Sequence, residues 1–356
     1  MLEGIRPGSG CEYCFKIEDA GGFSDRMNQK QFDDLTPPEM IYNPTAIEVI
    51  PRVLEVYFTN LCNLACLYCG PHFSTVWANE YRKHGKIDRN GLYLTDTDNW
   101  HKDYNKMKSE LWKWMEQNSK HLRKFHILGG EPFFQPEFIE CLDHFEKFPN
   151  PDLEFVIITN LMVDDKRMDY YLDRFLNLIK HRKIKLLHIT ASLDCWGPQQ
   201  EYVRSGLDLA QWQRNFEKLL KKRWIRLQIN QTISALTIHT MPDLYDHISE
   251  WNKVRKVFLQ FMTVVNPSHM RPDIFDPDVF EEPMRQILSK IGTEQDYDIR
   301  LKKYMEGIAK QISADGADLT QLNHLKIYLE EIDKRRNTDY TVLFPWLVKQ
   351  FERYGL

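Results

Sequence analysis

The sequence predicts an α/β fold, an incomplete barrel of six β/α units, from two observations. Short apolar runs alternate with longer amphipathic stretches from about residue 53 onward, which is the pattern of a parallel sheet covered by helices. In addition, small, polar and cysteine residues follow the ends of four runs, at the carboxyl edge where such folds carry function. The six predicted strands are 54–59, 125–128, 153–159, 186–192, 225–232 and 257–265.

The stretches between the predicted strands have helical patterns. In 209–222, for example, Leu209, Trp212, Phe216 and Leu219 recur at the spacing of one helix face. Helices are likewise predicted over 137–148 and 168–181.

Two segments lie outside this core. Residues 1–50 are rich in glycine and proline and predict an irregular extension, whereas 271–356 predict a C-terminal helical cap. Its helices are expected at 278–291, 297–312, 319–336 and 344–354. The predicted domains are therefore 1–50, 51–270 and 271–356.

The composition narrows the class of protein. Hydrophobic residues make up 42% of the 356 residues and charged residues 28%, as in folded globular proteins. No apolar run approaches the roughly 20 residues that cross a bilayer, and the first residues lack the apolar core of a signal peptide, so we expect a cytoplasmic protein with no membrane partner. The net charge of −4 argues against nucleic-acid partners, and the basic run 218–226 is interpreted as a solvated face.

The seven cysteines are expected to be reduced in that compartment, so their spacing indicates chemistry or packing. Cys62, Cys66 and Cys69 lie within the run CNLACLYC, directly after the first predicted strand. Three thiolates in one loop can hold an iron–sulfur cluster. Because a full set of cysteine ligands for such a cluster is four, one iron is left open for another ligand. The alternatives are a zinc site or unrelated core cysteines.

This CxxxCxxC loop resembles the signature of the radical S-adenosylmethionine (SAM) superfamily. GGEP at 129–132 is similar to that family's motif after the second strand, and 192–206 is similar to its fourth-strand segment with a following Arg-Gly-like pair. The likeness is closest to the branch with SPASM or shortened twitch C-terminal domains. It implies a partial barrel of radical SAM type with six β/α units.

The resemblance also implies cofactors and partners. Cys62, Cys66 and Cys69 would hold a [4Fe–4S] cluster that cleaves SAM to a 5′-deoxyadenosyl radical, with flavodoxin or ferredoxin as the reductant. The implied SAM-binding residues are Tyr68 near the adenine, Gly129, Gly130 and Glu131 at the amino group, Asn160 at the third strand end, Ser192 and Asp194 at the ribose, and Arg204 at the carboxylate.

The chain departs from that branch at its C-terminal end, because no cysteine follows Cys195 to bind an auxiliary cluster. Cys11 and Cys14 could replace those ligands in a second zinc or iron–sulfur site, completed by Cys195, Cys141 or a histidine. The alternatives are a structural turn or a partner-facing loop. The C-terminal region is thus expected to be twitch-like without cluster cysteines.

The remaining candidates favour structural roles. Cys195 could ligate a cluster or donate a hydrogen atom, but the sequence favours packing, and Cys141 lies in the apolar pattern of a helix. His126 and His188 lie within strands, where barrel-interior roles are expected rather than catalysis.

The sequence leaves three functions open. The first is a radical SAM enzyme acting on a peptide or a small biosynthetic substrate. The second is modification of RNA or nucleosides by the same chemistry, and the third is a noncatalytic metal-binding protein.

Overall fold

A parallel sheet forms the centre of the protein. The computed structural model describes residues 12–19, 24, 50–87, 103–293, 295–312 and 316–356. In chain order, its strands are β1 (Val53–Tyr57), β2 (Ala65–Cys66), β3 (Lys124–Leu128), β4 (Asn150–Thr159), β5 (Ile184–Ser192), β6 (Arg204–Ser205), β7 (Ile225–Ile233) and β8 (Phe258–Thr263).

Six of these strands make one sheet in the order β1-β3-β4-β5-β7-β8, and every neighbouring pair is parallel. Each long strand thus lies beside the one that precedes it in the chain, which is the arrangement of a β/α barrel left open between β1 and β8. The predicted partial barrel is confirmed, with strand ends that differ from the predicted bounds by at most three residues. The short strands β2 and β6, which pair with each other in an antiparallel way, were not predicted.

Helices connect the strands and continue beyond them. They are α1 (Glu12–Asp19), α2 (Thr75–His84), α3 (Tyr104–Asn118), α4 (Pro136–Lys147), α5 (Asp165–Lys180), α6 (Pro198–Val203), α7 (Leu209–Leu220), α8 (Met241–Val254), α9 (Asp278–Lys290), α10 (Asp296–Ile312), α11 (Leu319–Arg336), α12 (Tyr340–Leu343) and α13 (Pro345–Arg353). Side chains at the N-cap position define where several of these helices begin. Asp164 and Asp208, for instance, accept hydrogen bonds from backbone N–H groups of α5 and α7.

An aromatic layer fills the space between the sheet and helices α4 and α5. Phe138 of α4 is fully buried and packs against Phe133, Phe155, Tyr171 and Phe175, with ring centroids 5.2–6.2 Å apart. Large rings at such distances bury much apolar area and fix the helices on the sheet. Cys141 is fully buried in the same layer, as the sequence pattern predicts.

The C-terminal helices pack against the barrel. Tyr202 of α6 donates a hydrogen bond to Asp333 of α11 at 2.8 Å, and its ring packs against Phe344. Gln199 donates to the carbonyl of Leu343 at 3.0 Å. Helix α11 buries Leu322, Leu325, Ile327, Tyr328, Leu329 and Ile332. The predicted C-terminal helices are present, and the division into three domains stays a prediction.

The N-terminal extension is described only in part. Residues Glu12–Asp19 form α1, a helix that the glycine-rich pattern did not predict. Cys14 lies in α1 and is partly buried, whereas Cys11 lies outside the described residues. In the described part of the chain, no helix has both the length and the apolar character needed to span a bilayer.

Candidate functional site

The cluster loop, which we define as residues 60–70, begins beyond the carboxyl end of β1 and carries the three predicted cysteine ligands. Cys66 is buried in β2, opposite Arg204 of β6, and Cys62 and Cys69 are partly buried. All three thiols are free. The backbone N–H of Cys69 donates to the carbonyl of Cys66 at 3.0 Å, which closes the loop into a tight turn between the second and third cysteines.

The three thiols act on one another electrostatically. Burial raises the pKa of Cys69 to about 12, with a further contribution from negative charge on Cys66. Burial and the charge of Cys66 raise the pKa of Cys62 in the same way, and burial raises that of Cys66. Three neighbouring thiolates therefore need a cationic centre to offset their repulsion. Thiolates are the ligands that iron–sulfur clusters use, so this donor set fits such a cluster.

A single metal ion has less support. Among the described residues, no group of three or more histidine, cysteine, aspartate or glutamate side chains is arranged to hold one ion.

The loop after β3 binds the cluster loop through its backbone. The N–H groups of Gly130 and Glu131 donate to the carbonyls of Thr59 and Leu61 at 3.2 and 2.7 Å. A Cβ atom on Gly130 would lie 2.2 Å from the carbonyl oxygen of Leu61, so only glycine fits. The resemblance implied that both glycines lie at the amino group of SAM, and at Gly130 the structure shows the cluster loop itself as the close neighbour.

The carboxylate of Glu131 is completely buried behind this contact. Its oxygens accept hydrogen bonds from the Thr159 hydroxyl and the Asn160 N–H at 2.7 Å each, and from the Phe133 N–H at 3.2 Å. Burial nevertheless outweighs these bonds and raises the pKa of Glu131 to about 7. Glu131 thereby links the ends of β3 and β4. Its raised pKa means that its carboxyl group changes protonation near neutral pH.

Asn160 links Glu131 to the cysteines. Its side-chain amide lies 3.9 Å from the Cys62 sulfur and donates to the Asn63 side chain at 2.9 Å. Its side-chain oxygen accepts from the Met162 N–H at 2.8 Å, which fixes the orientation of the amide. The structure thus brings together Cys62, Glu131 and Asn160, as the strand-end argument predicts.

A second group of predicted residues surrounds Asp194. The guanidinium of Arg204 binds both carboxylate oxygens of Asp194 at 2.8 Å, the Tyr68 hydroxyl donates to the same carboxylate at 2.6 Å, and the Thr232 N–H donates at 2.8 Å. Burial lowers the pKa of Arg204, but the negative charge and hydrogen bonds of Asp194, together with contributions from Tyr68 and Cys66, outweigh burial and leave that pKa raised. Tyr68 directly precedes Cys69 in the chain, and Arg204 lies opposite Cys66. Because both side chains bind Asp194, this carboxylate anchors the cluster loop to the end of β5.

The other predicted residues lie nearby in less connected positions. Ser192 is buried at the end of β5, opposite Asn230 of β7. Cys195 is fully buried, with its sulfur 3.5 Å from the Gln200 side-chain oxygen, which supports the packing interpretation.

The two strand histidines lie in the middle of β3 and β5, each in register with Val156 of β4. His126 pairs with Glu55 at 3.0 Å and His188 with Glu154 at 3.4 Å, each through Nδ1. Burial lowers the pKa of His126, and its pairing with Glu55 opposes the shift. Neither Nε2 atom has a hydrogen-bond partner among the described residues, and a structural role for both histidines stays a prediction.

Sequence reasoning missed the residues that hold the cluster-loop carbonyls. Ser74 and Thr75, at the start of α2, donate to the carbonyls of Leu64 and Cys62 at 2.5 and 3.0 Å. The Trp77 indole donates to the Cys66 carbonyl at 2.8 Å. The Ser-Thr pair before an amphipathic stretch is a helix-start signal that could have located α2.

Comparisons with known proteins were made for the whole chain. A model described as the radical SAM superfamily matches residues 56–256, more than half of the chain. No curated protein matches.

Solved structures of Streptococcus suis SuiB are similar. SuiB bound to S-adenosylmethionine has 15% identity and a TM-score of 0.44, over 76% of this chain and 54% of SuiB. SuiB bound to precursor peptide SuiA has 14% identity and a TM-score of 0.42, over 75% of this chain and 49% of SuiB. The chain thus spans about half the length of SuiB.

The buried pair of Asp194 and Arg204 predicts a large stability effect. In Asp194→Asn the guanidinium of Arg204 stays buried without its counter-charge, and we expect a loss of about 3–5 kcal/mol in the free energy of unfolding. Urea unfolding measures it. Adding Arg204→Met should recover part of the loss. The exposed pair of Lys253 and Glu250 supplies the control, because Glu250→Gln should change stability by less than about 1 kcal/mol. Equal effects of the two single variants would contradict the prediction.

Glu131 predicts a pH-dependent stability. Between pH 4.5 and about 7, the unfolded chain has released the Glu131 proton while the folded protein still holds it. The unfolded state then binds fewer protons, so stability is lost as pH rises through this window, by about 3 kcal/mol in total at about 1.4 kcal/mol per unit. Glu131→Gln, which does not titrate, should lack this slope.

The measurement is urea unfolding from pH 4.5 to 8 for the wild type and Glu131→Gln. Glu110→Gln, which alters an exposed helix pair with Lys113, should keep the wild-type slope. Parallel profiles for the wild type and Glu131→Gln would show that Glu131 does not titrate in this range.

Proposed function

The chain belongs to the radical SAM superfamily, and on this basis we propose that it reductively cleaves SAM and abstracts hydrogen from a peptide or small biosynthetic substrate. One observation carries the proposal: three free, mutually interacting thiols, Cys62, Cys66 and Cys69, lie beyond the carboxyl end of β1. These residues would hold a [4Fe–4S] cluster. When bound, such a cluster supplies the electron that splits SAM into methionine and a 5′-deoxyadenosyl radical.

The chain's own residues would position and shield the cluster. Asn160 directs its amide toward the Cys62 sulfur, and a hydrogen bond to a ligand sulfur changes the charge that the sulfur presents to the metal. Leu64 and Leu67 of the loop itself are buried, so this part of the loop is shielded from water. A low-potential protein such as flavodoxin or ferredoxin is the proposed reductant.

The proposed SAM contacts are Tyr68, Gly129, Gly130, Glu131, Asn160, Ser192, Asp194 and Arg204. An ionised Glu131 can accept hydrogen bonds from an ammonium group, and bound SAM would then favour the charged form of this carboxyl. Arg204 offers donors to a carboxylate, but two of them are directed at Asp194. We infer that Arg204 binds SAM only with the N–H groups that Asp194 leaves over.

The inner face of the sheet supports a peptide as substrate. Along β7, the side chains that alternate with the buried positions are Arg226, Gln228, Asn230 and Thr232, and Gln228 donates to Gln260 of β8 at 3.1 Å. Amide side chains both donate and accept hydrogen bonds, which matches the alternating groups of a peptide backbone. The twitch-like character of the C-terminal region stays a proposal as well.

Anaerobic reconstitution tests the function. The wild type, loaded with iron and sulfide, should show iron–sulfur absorption, about four irons per chain at this site, and 5′-deoxyadenosine when SAM and dithionite are added. The Cys62→Ala/Cys66→Ala/Cys69→Ala variant should lose all three signals.

Cys141→Ala is the matched control, because it removes a buried thiol from the aromatic layer and leaves the cluster loop intact. It should keep both the cluster and the product. A wild-type protein that binds iron but forms no 5′-deoxyadenosine would contradict the enzyme proposal and favour a metal-binding role.

The N-terminal pair gives a separate prediction. We propose Cys11 and Cys14 as half of a second zinc or iron–sulfur site. Metal analysis of Cys11→Ala/Cys14→Ala should then show either less iron than the wild type, by more than preparation scatter, or the loss of bound zinc. Identical iron and zinc contents would exclude a metal at this pair.

A further inference from the structure

Three consecutive carbonyls of the cluster loop are bound by side chains from outside the loop. Arg336 donates to the carbonyl of Ala65 at 3.0 Å, Trp77 to that of Cys66 at 2.8 Å and Tyr328 to that of Leu67 at 2.6 Å. Two of these donors come from helix α11, more than 260 residues farther along the chain. The C-terminal region therefore fixes the peptide group before Cys66 and the one after Leu67, while Trp77 of α2 fixes the peptide group between these two residues.

Arg336 occupies a built position. Its guanidinium lies 4.5 Å from the centre of the Trp77 ring and binds Glu80 of α2 through Nε at 3.0 Å. The side chain is only 11% exposed, so the Trp77 ring and Glu80 hold its guanidinium in a largely buried position. Trp77, which is fully buried, in turn donates to Cys66. Arg336 of α11 thus packs on the Trp77 indole, and this indole binds the carbonyl of Cys66, so α11 is connected with the second cysteine.

Tyr328 is equally well defined. It is fully buried, and its ring packs against His269 with centroids 4.7 Å apart. Among the described residues, the Tyr328 hydroxyl has one hydrogen-bond partner, the carbonyl of Leu67. A buried hydroxyl needs a partner, so the bond to Leu67 fixes the position of the loop and of α11 together.

The charges around Arg336 balance. Arg335 binds Glu331 at 2.9 Å and lies 3.8 Å from Glu80, while Arg336 binds Glu80 at 3.0 Å. Removing the Arg336 charge would leave this buried group one unit more negative, directly beside the cluster loop. Extra negative charge disfavours the addition of an electron to a nearby metal cluster and lowers its reduction potential.

From these contacts we propose that Tyr328 and Arg336 are positioning residues for the cluster loop, and that Arg336 also sets the reduction potential of the cluster. The C-terminal helices then belong to the catalytic site, although they carry no cysteine. The part about the potential rests on the proposed function, whereas the part about the loop does not.

Hydrogen exchange of the protein without metal tests the loop. The Leu67 N–H donates to the Val203 carbonyl at 2.8 Å and should be protected in the wild type. In Arg336→Met and Tyr328→Phe we expect the amides of residues 66–69 to exchange on the order of tenfold faster, as expected from losing one buried hydrogen bond. Strand β4 serves as the internal reference, since a purely global loss of stability would speed its exchange too.

The reconstituted protein tests the potential. A redox titration followed by electron paramagnetic resonance should give a more negative midpoint for Arg336→Met, a value close to wild type for Arg336→Lys, and an unchanged value for Tyr328→Phe, which keeps every charge. Arg285→Met, which removes an exposed arginine paired with Glu282 of α9, should not move the midpoint.

The outcomes are separable. Wild-type exchange at residues 66–69 in both variants, or equal midpoints for Arg336→Met and wild type, would overturn the inference. A wild-type protein that takes up no cluster would overturn the proposed function instead, and exchange would still decide the positioning role. Tyr328→Phe removes a single oxygen atom and should fold even where Arg336→Met does not.

Discussion

The backbone carbonyls of the cluster loop need hydrogen-bond donors, and this constraint determines how the surrounding elements pack. Between β1 and α2 the chain forms only the two-residue strand β2, yet residues 64–67 are buried. Buried carbonyls without partners are costly, so side chains from several elements bind them. Ser74, Thr75 and Trp77 come from the α2 side, Tyr328 and Arg336 from α11. The cysteines are consequently presented by a loop whose shape is set from outside.

The buried pair of Asp194 and Arg204 extends the same arrangement to the sheet. Arg204 pairs with Cys66 through β6 and β2, and Tyr68 of the loop donates to Asp194 at the end of β5. On the other side, Glu131 and Asn160 connect the ends of β3 and β4 to Cys62. The ends of β3, β4 and β5 are thus joined to one loop by hydrogen bonds, which fixes the position of the loop without any bound cofactor.

The sequence predicted some features well because they depend on local pattern. The apolar runs located all six long strands, and the order of reactive residues after them located the rim. Gly130 shows where this reasoning stops. Its identity indicated a close approach, but the neighbour is the Leu61 carbonyl, a fact that depends on how two loops pack. Similarly, Arg204 and Asp194 were each predicted to face SAM, whereas the structure pairs them with each other.

By itself the sequence determined the order of β/α units, the three-cysteine loop and the residues at the strand ends, since periodicity and spacing act over a few residues. Only the tertiary structure decided that Tyr328 and Arg336 hold that loop, and that β2 and β6 join it to Asp194. A tyrosine and an arginine on an amphipathic helix resemble many others. Their partner lies more than 260 residues away, and only packing brings the two together.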